Sequence, residues 1–249
     1  MTHILILGGT TEASALARTL AERGLPATLS YAGRTERPRP QPVRVRIGGF
    51  GGVAGLARYI RGEGITHIVD ATHPFAAQMS ANAVAAAQET GIPLIALTRP
   101  AWTAQPGDRW ESVADIPAAV AALAGPARRI LLALGRMHVD AFAAQPQHQY
   151  LLRFVDAPVE PPALPHHHLV VDRGPFTAAD DERLLRDHAI NLIVAKNAGG
   201  TGAVAKLDAA RALGLPVLII DRPALPPRRE AQDIDAVLHW IAHPADRGV

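Results

Sequence analysis

The sequence contains no cysteine, and this absence removes several kinds of chemistry at once. A chain of 249 residues without thiols forms no disulfide bond, offers no thiolate nucleophile and builds no cysteine zinc site. The absence also favours a cytoplasmic location. Long apolar runs are missing as well, since none approaches the ~20 residues that cross a bilayer. We therefore expect no membrane span, and the first residues, MTHILILGG, predict a β-strand rather than a signal peptide.

Lysine and aromatic side chains are also scarce. Only two of the 25 basic residues are lysines, and aromatic residues make up 4% of the chain. The arginines are dispersed and the net charge is only +2, so the sequence predicts no nucleic-acid partner. Arginine grips carboxylates and phosphates through two parallel hydrogen bonds, which suits a polyanionic small molecule. A GC-rich genome, which replaces lysine by arginine, explains most of these arginines equally well.

Short apolar runs alternate regularly with longer helical patterns, and with 48% hydrophobic residues the chain can build a sizeable core. In the first half, strands are predicted at 3–7, 27–31, 43–47, 65–70 and 92–97, with helices at about 11–23, 53–61 and 76–90. Strands joined by helices of this length indicate an α/β protein with mostly parallel sheets.

The second half of the chain repeats the first. The segments GIPLIALTRPA at 91–101 and GLPVLIIDRPA at 214–224 share Gly, Pro, Arg, Pro and Ala in place. Upstream, the strand that ends at Asp70 corresponds to the one that ends at Lys196, and Gly8 corresponds to Gly135, at offsets of 123 to 127 residues. Convergence of generic βαβ patterns is the alternative explanation. We predict two Rossmann-like lobes, 1–125 and 126–249, with a cleft between them.

A glycine turn lies where the first strand meets the first helix. Glycine lets a backbone approach a phosphate, and the amino terminus of a helix attracts negative charge. Ala13 stands where the complete G-x-G-x-x-G pattern has its third glycine, so the motif is partial. The alternative is a tight turn in which Thr10 or Thr11 caps the helix. The residues of this turn that we expect to bind a cofactor are Gly8, Gly9, Thr10 and Glu12.

The residues at the end of the second strand indicate which cofactor the glycine turn would bind. NAD-binding folds usually carry an acidic residue there, which binds the ribose 2′-hydroxyl. Here the strand runs into Ala32, Gly33 and Arg34, and Arg34 is placed to meet a 2′-phosphate, with Arg37 and Arg39 as further candidates. This pattern favours NADPH over NADH, and it also counts against S-adenosylmethionine. Arg34 as a solvated loop residue is the alternative.

Two further segments follow predicted strands, where parallel sheets bind their ligands. Gly48 and Gly49 open a glycine cluster whose backbone can pass close to a dinucleotide. Pro74 is predicted in the first turn of the next helix. Asp70 and His73 suggest acid–base chemistry, although helix capping and ring packing against a nicotinamide are favoured for both. The second segment consists of Asp70, Ala71, Thr72, His73, Pro74 and Phe75.

No metal site is predicted. The candidate is a run of three histidines, 166–168, at the end of the Pro-rich segment 157–168. Loop histidines without nearby acidic partners are usually solvated, so this segment is expected to be an exposed connection within the second half.

Five segments of the chain match one known family: ILILGGTTEA at 4–13, DATHPFA at 70–76, RPAW at 99–102, RGPF at 173–176 and KNAGGTGAVAK at 196–206. Together they resemble the precorrin-6A reductases of cobalamin biosynthesis. The resemblance spans nearly the whole chain, and DATHPFA and KNAGG are its specific parts. Ala13 at the third glycine departs from generic Rossmann enzymes, but the family tolerates it.

The resemblance implies an NADPH-dependent reduction of the C18=C19 bond of precorrin-6A to the dihydro form, precorrin-6B. Hydride would pass to C19, and a proton would reach C18. The substrate would be a polycarboxylated, tetrapyrrole-derived macrocycle, which requires a cationic site. The family acts on metal-free and on cobalt-containing precursors, and we favour the metal-free one. Oligomeric state and hand-over of the product to the next pathway enzyme stay open.

The resemblance also assigns residues by position. The cofactor residues named above would hold NADPH, with Arg34 near its 2′-phosphate and the segment from Asp70 to Phe75 on the nicotinamide side. Lys196 is the one residue assigned to catalysis as well as to binding; the alternative is an ordinary surface lysine. Lys196, His73, Asp70 and solvent all stay open as the proton donor, with Lys196 preferred. The residues expected to bind substrate carboxylates are Arg136, Lys196, Asn197, Gly199, Gly200 and Thr201.

Two other functions remain as alternatives. The first is a non-catalytic NADP(H) sensor that binds a protein partner, although a sensor needs no second anion-binding strand end. The second is an S-adenosylmethionine methyltransferase, which predicts stabilisation by that cofactor instead of NADPH.

Overall fold

Residues 2–33 and 40–243 are described by the computed structural model, and within them the chain forms two parallel sheets of six strands each. Contacts divide the chain into two units. Unit 1 comprises Met1–Pro100 and Ala224–Val249, and unit 2 comprises Ala101–Pro223. The predicted α/β architecture of two Rossmann-like lobes with mostly parallel sheets is therefore confirmed. Among these described residues, no helix is long and apolar enough to cross a membrane.

The strands and helices are numbered in chain order. The strands are β1 (Ile4–Leu7), β2 (Ala27–Tyr31), β3 (Arg44–Ile47), β4 (His67–Asp70), β5 (Leu94–Leu97), β6 (Arg109–Val113), β7 (Arg129–Ala133), β8 (Gln149–Phe154), β9 (His167–Val171), β10 (Leu192–Lys196), β11 (Pro216–Ile220) and β12 (Arg229–Ala231). The α-helices are α1 (Thr11–Glu22), α2 (Gly52–Gly62), α3 (Ala77–Thr90), α4 (Ile116–Ala122), α5 (Ala178–Asp187), α6 (Ala205–Leu213) and α7 (Ile234–Ala242). A 3-10 helix, Arg136–Ala144, follows β7.

The two sheets have corresponding strand orders. The order in unit 1 is β12-β5-β4-β1-β2-β3, and in unit 2 it is β6-β11-β10-β7-β8-β9. β1, β4 and β5 therefore occupy the same places as β7, β10 and β11. These are the three pairs of strands that the internal repeat matched, so the repeat is confirmed as a structural one.

The boundary between the units differs from the predicted division at 125 and 126. β6 comes from the first half of the chain but pairs with β11 of unit 2, where Trp110 lies opposite Val217. β12 comes from the second half but pairs with β5 of unit 1, where Arg229 lies opposite Ile95. Each half of the sequence thus ends with a strand that belongs to the sheet of the other unit. Hydrogen-bonded pairing between strands assigns β6 and β12 to their sheets, and the spacing of the sequence does not predict that pairing.

Apolar side chains of β1 point alternately to the two faces of the sheet in unit 1, which explains why helices cover both faces. Ile4 and Ile6 join a buried cluster with α1 and α7, whereas Leu5 and Leu7 join a second cluster with α2 and α3. Successive side chains of a strand point to opposite faces, so the run ILIL supplies the core on both sides. Burial of each such side chain contributes roughly 1.5–3 kcal/mol. A continuous apolar run is typical of a central strand of a parallel sheet.

Unit 2 is built on the same plan. Leu131 of β7, Ile193 of β10 and Val217 of β11 are buried in one cluster with Leu185 of α5 and Leu207 of α6. Since all paired strands of each unit run parallel, their carboxyl ends lie at one edge of each sheet. That edge is where the predicted site residues of each unit are found.

Candidate functional site

The carboxyl edge of unit 1 collects the segments that the sequence singled out. Gly8 follows β1, Gly48 follows β3 and Asp70 ends β4. The glycine turn and the segment after β4 are in direct contact, because Thr10 Oγ1 donates a hydrogen bond of 2.9 Å to the carbonyl oxygen of Ala71. Two segments separated by about sixty residues in sequence thus form one surface.

The glycine turn leaves room in front of the amino terminus of α1. A Cβ on Gly8 would stand 2.6 Å from Leu29 Cδ1, so a larger residue here requires the buried Leu29 side chain to move. Gly9 has φ +136°, and apart from its own two chain neighbours no described residue has an atom within 4 Å of where its Cβ would stand. Because no side chain covers the backbone at Gly9, a pyrophosphate can approach the start of the helix closely. The turn therefore suits a dinucleotide.

Thr10 is the amino-terminal cap of α1. Its Oγ1 accepts a hydrogen bond of 3.1 Å from the backbone N–H of Ala13. The capping interpretation of Thr10 is therefore correct. It is compatible with a bound phosphate, because the cap uses the hydroxyl group and the bare backbone of Gly9 precedes it.

Glu12 in the first turn of α1 is neutralised by an arginine from the end of β5. Arg99 Nη1 donates to Glu12 Oε2 at 2.6 Å, and Thr11 Oγ1 donates to the same oxygen at 3.0 Å. Burial by itself raises the pKa of Glu12, but its own backbone N–H and the charge and hydrogen bond of Arg99 outweigh burial, so the pKa is lowered. A small crevice at this edge is lined by Thr10, Glu12, Thr72, Pro74, Leu97, Thr98 and Arg99.

Arg99 received no role from the sequence beyond its place in the RPAW segment. The internal repeat could have singled out Arg99 as a site residue, since Arg222 is the equivalent residue of unit 2. Both arginines follow a strand and bind groups at the carboxyl edge of their own sheet. In unit 1, Arg99 offsets the negative charge that Glu12 would otherwise direct at a bound phosphate.

Asp70 is a buried anchor. Its side chain is 1% exposed; Oδ1 accepts hydrogen bonds from the backbone N–H and the hydroxyl of Thr72, at 3.1 and 2.7 Å, and Oδ2 accepts one from Ser80 Oγ at 2.7 Å. Arg228 Nη1 also donates to Oδ2, at 2.5 Å. Both carboxylate oxygens are thus engaged with protein donors. The side chain holds the turn that follows β4; it caps no helix, because α3 begins at Ala77 with no side-chain hydrogen bond at its cap.

The residues after Asp70 form a turn before the next helix. The backbone N–H of Ala76 donates to the carbonyl oxygen of His73 at 2.7 Å, and His73 Nδ1 accepts from the backbone N–H of Phe75 at 3.2 Å. α3 begins only at Ala77, so the prediction that Pro74 lies in its first turn is wrong. Residues 73–76 therefore form a separate hydrogen-bonded turn that precedes α3.

The glycine cluster after β3 is held by an arginine. Arg46 Nη2 donates to the carbonyl oxygen of Gly49 at 2.9 Å, and Nη1 donates to that of Gly48. The guanidinium carbon lies 3.8 Å from the ring centroid of Phe50. Gly48 has φ +119°, which only glycine adopts readily. The sequence predicted the strand that carries Arg46 but not this contact. Arg34, Arg37 and Arg39 lie outside the described residues.

At the carboxyl edge of unit 2, the second glycine loop, residues 197–204, follows Lys196 at the end of β10. Lys196 is half-buried. Gly199 and Gly200 both have left-handed backbone conformations, with φ +68° and +70°. β7 lies beside β10 in the sheet, and exposed Arg136 begins the 3-10 helix that follows β7. The predicted substrate residues therefore lie at one edge of unit 2.

The second glycine loop is braced by side chains that the sequence did not connect. Asn197 Oδ1 accepts from the backbone N–H of Trp102 at 2.8 Å, and Asn197 Nδ2 donates to the carbonyl oxygen of Trp102 at 2.9 Å. Trp102 Nε1 donates to the carbonyl oxygen of Gly200 at 2.7 Å. Arg222 donates to the carbonyl oxygens of Asn197 and Ala198, at 3.0 and 3.1 Å. The side chain of Asn197 is thus engaged in holding Trp102.

The three histidines lie at the opposite edge of unit 2. His166 precedes β9, and His167 and His168 are its first residues, although the sequence placed this segment in a loop. His167 Nδ1 is 2.7 Å from the carbonyl oxygen of Leu164. In the part of the chain that the structure describes, no group of three or more His, Asp or Glu side chains could hold a metal ion.

Comparison with known proteins gives consistent matches along the chain. Residues 3–242 match the family model described as "Precorrin-6x reductase CbiJ/CobK". A precorrin-6A reductase of Rhodobacter capsulatus is 58% identical, over 97% of this chain and 96% of its own length. A cobalt-precorrin-6A reductase of Priestia megaterium is 30% identical, over 96% of this chain and 98% of its own. The solved structure "CobK precorrin-6A reductase" has a TM-score of 0.94 and 57% identity, and covers 100% of this chain and 98% of that one.

Proposed function

The chain belongs to the precorrin-6x reductase family, an oxidoreductase family of cobalamin biosynthesis, and on this premise we propose that it reduces the C18=C19 bond of precorrin-6A at the expense of NADPH. The observation that carries the proposal is the family match over residues 3–242, which includes the carboxyl edges of both sheets. The higher identity to the precorrin-6A reductase than to the cobalt-precorrin-6A reductase, 58% against 30%, supports the metal-free substrate.

The edge of unit 1 is proposed to bind NADPH. The open space in front of Gly9 supports a pyrophosphate at the start of α1, beside Gly8 and the Thr10 cap. Glu12, neutralised by Arg99, borders the same crevice. We assign the 2′-phosphate to Arg34. When bound, NADPH supplies the hydride for C19.

The nicotinamide side is proposed to lie along Gly48, Gly49 and the turn after β4. Within that turn, Ala71, Thr72, His73, Pro74 and Phe75 would face the cofactor. Asp70 acts through the turn that it holds, because its carboxylate is buried and hydrogen-bonded. Orientation of the reacting groups is the main contribution that a protein makes to hydride transfer.

The edge of unit 2 is proposed to bind the carboxylate arms of the macrocycle. Arg136 and Lys196 would supply positive charge. Gly199, Gly200 and Thr201 would supply backbone N–H groups, since a glycine-rich turn lets an anion approach the backbone closely. Asn197 contributes by fixing the loop through Trp102. Lys196 is also our candidate to assist protonation at C18.

The experiment that tests the proposal is NADPH consumption, followed by the loss of reduced-nicotinamide absorbance with precorrin-6A supplied. We expect turnover with NADPH, little with NADH, and a product heavier by two hydrogen atoms. Binding of NADPH without consumption would favour a non-catalytic sensor. Thermal stabilisation by S-adenosylmethionine and not by NADPH would favour a methyltransferase. The cytoplasmic location remains a prediction, and hand-over of the product to the next enzyme stays open.

A further inference from the structure

Lys206 occupies a position that is unfavourable for a charged side chain. It is only 7% exposed. It also lies in the first turn of α6, where the helix dipole disfavours a positive charge. Two charges of opposite sign act on it, Arg153 of β8 and Asp181 of α5, and these two side chains are hydrogen-bonded to each other inside unit 2.

The surroundings of Lys206 compensate this cost only in part. Its Nζ donates to the carbonyl oxygen of Ala203 at 2.5 Å and lies 5.0 Å from the ring centroid of Trp102. The pKa of Lys206 is lowered to about 8, chiefly by burial; the charge of Arg153 contributes to the lowering, and the charge of Asp181 opposes it. An apolar side chain of similar length would avoid the desolvation cost. Stability alone therefore does not account for a lysine here.

Both partners of the ammonium belong to the structure of the second glycine loop. Ala203 is part of the loop, and Trp102 is fastened to it through the hydrogen bond from Nε1 to the carbonyl oxygen of Gly200. Lys206 thus connects the end of the loop, at Ala203, to the ring that holds its middle, at Gly200. A cation over an aromatic face adds a directional attraction to this connection.

We propose that Lys206 is a positioning residue, whose ammonium joins Ala203 to Trp102 and thereby fixes the backbone N–H groups of Gly199 and Gly200 for an anionic group of the substrate. This inference rests on the proposed function, because that function assigns the loop to substrate carboxylates. Lys206 itself does not touch the substrate. Its contribution is to binding of the macrocycle, and not to binding of NADPH.

The first test is steady-state kinetics of the full chain. In Lys206→Met, the KM for precorrin-6A should rise about tenfold, as expected for loss of one charge-assisted hydrogen bond, while kcat and the KM for NADPH change less than about twofold. Lys206→Arg keeps the charge and should recover part of the loss. Arg186→Met removes an exposed cation from α5 and should leave all three parameters unchanged. An unchanged KM for precorrin-6A in Lys206→Met, or an equal rise in both KM values, would overturn the proposal.

The second test needs no substrate and separates this inference from the proposed function. Tryptophan emission is followed from pH 6.5 to 9.5 in wild type, Lys206→Met, Trp102→Phe and Arg186→Met. We expect a transition near pH 8 in wild type and Arg186→Met, and none in the other two. Persistence of the transition in Lys206→Met or in Trp102→Phe contradicts the contact. If wild type reduces no precorrin-6A yet shows this pattern, the proposed function fails and the loop contact stands.

Discussion

Removal of Arg228 should destabilise unit 1 by more than any surface substitution. The Arg228 and Asp70 side chains are 8% and 1% exposed, so Arg228→Met leaves a carboxylate buried without its countercharge. Loss of one partner of a buried ion pair typically costs about 3–5 kcal/mol. The hydrogen bonds from Thr72 and Ser80 remain, which places the expected cost near the lower value, at about 3 kcal/mol.

The assay is urea unfolding followed by fluorescence. Trp240 is the one tryptophan in the sequence of unit 1, and its side chain is buried in the core, so its emission reports the unfolding of that unit. Arg229→Met is the matched control, since Arg229 is the exposed neighbour of Arg228 and should change stability by less than about 0.5 kcal/mol. The slope of the transition should be the same in all variants.

A double-mutant cycle distinguishes the ion pair from loss of packing. Asp70→Asn combined with Arg228→Met removes both charges, so the double variant should lose less stability than the sum of the two single variants, by about 1–3 kcal/mol. Additive losses would refute the view that the pair acts as a unit. So would a cost of Arg228→Met no larger than that of Arg229→Met.

Three further outcomes are expected. The folded pKa of Lys206, about 8, lies below its ordinary value of 10.5, so unfolding takes up a proton between these two pH values. The free energy of unfolding of unit 2, measured with urea, should therefore rise by roughly 3 kcal/mol as the pH increases across this window. Lys206→Met should abolish the rise. Arg34→Ala should weaken NADPH binding at least about tenfold more than NADH binding by calorimetry, and equal losses would remove the 2′-phosphate assignment. Lys196→Ala should raise the KM for precorrin-6A or slow turnover, again about tenfold, with NADPH affinity unchanged; unaltered kinetics would make Lys196 a bystander.

The sequence predicts the repeated units well because their signals are local. An apolar run such as ILIL, followed by glycines and a capped helix, specifies strand, turn and helix over about twenty residues. The match between the segments at 91–101 and 214–224 then relates β5 to β11. The same local signals brought Gly8, Asp70 and Lys196 to the carboxyl edges of their sheets, because every parallel strand ends there.

Contacts between distant segments were not predictable in this way. Arg228 lies 158 positions from Asp70, and Trp102 lies 95 positions from Asn197. Each contact depends on which strands pair, and the exchange of β6 and β12 between the two halves cannot be inferred from periodicity. The predicted boundary at 125 and 126 failed for the same reason. Arg99 was the exception, since the sequence repeat aligns it with Arg222.

Transfer of a label from cofactor to macrocycle tests the central claim most directly. NADPH that carries deuterium at the transferable position of nicotinamide C4 is supplied with precorrin-6A and the full chain, and the product is examined by mass spectrometry and NMR. One deuterium should appear at C19, with the hydrogen at C18 derived from solvent. A product without deuterium, or with deuterium at another carbon, would contradict direct hydride transfer to C19.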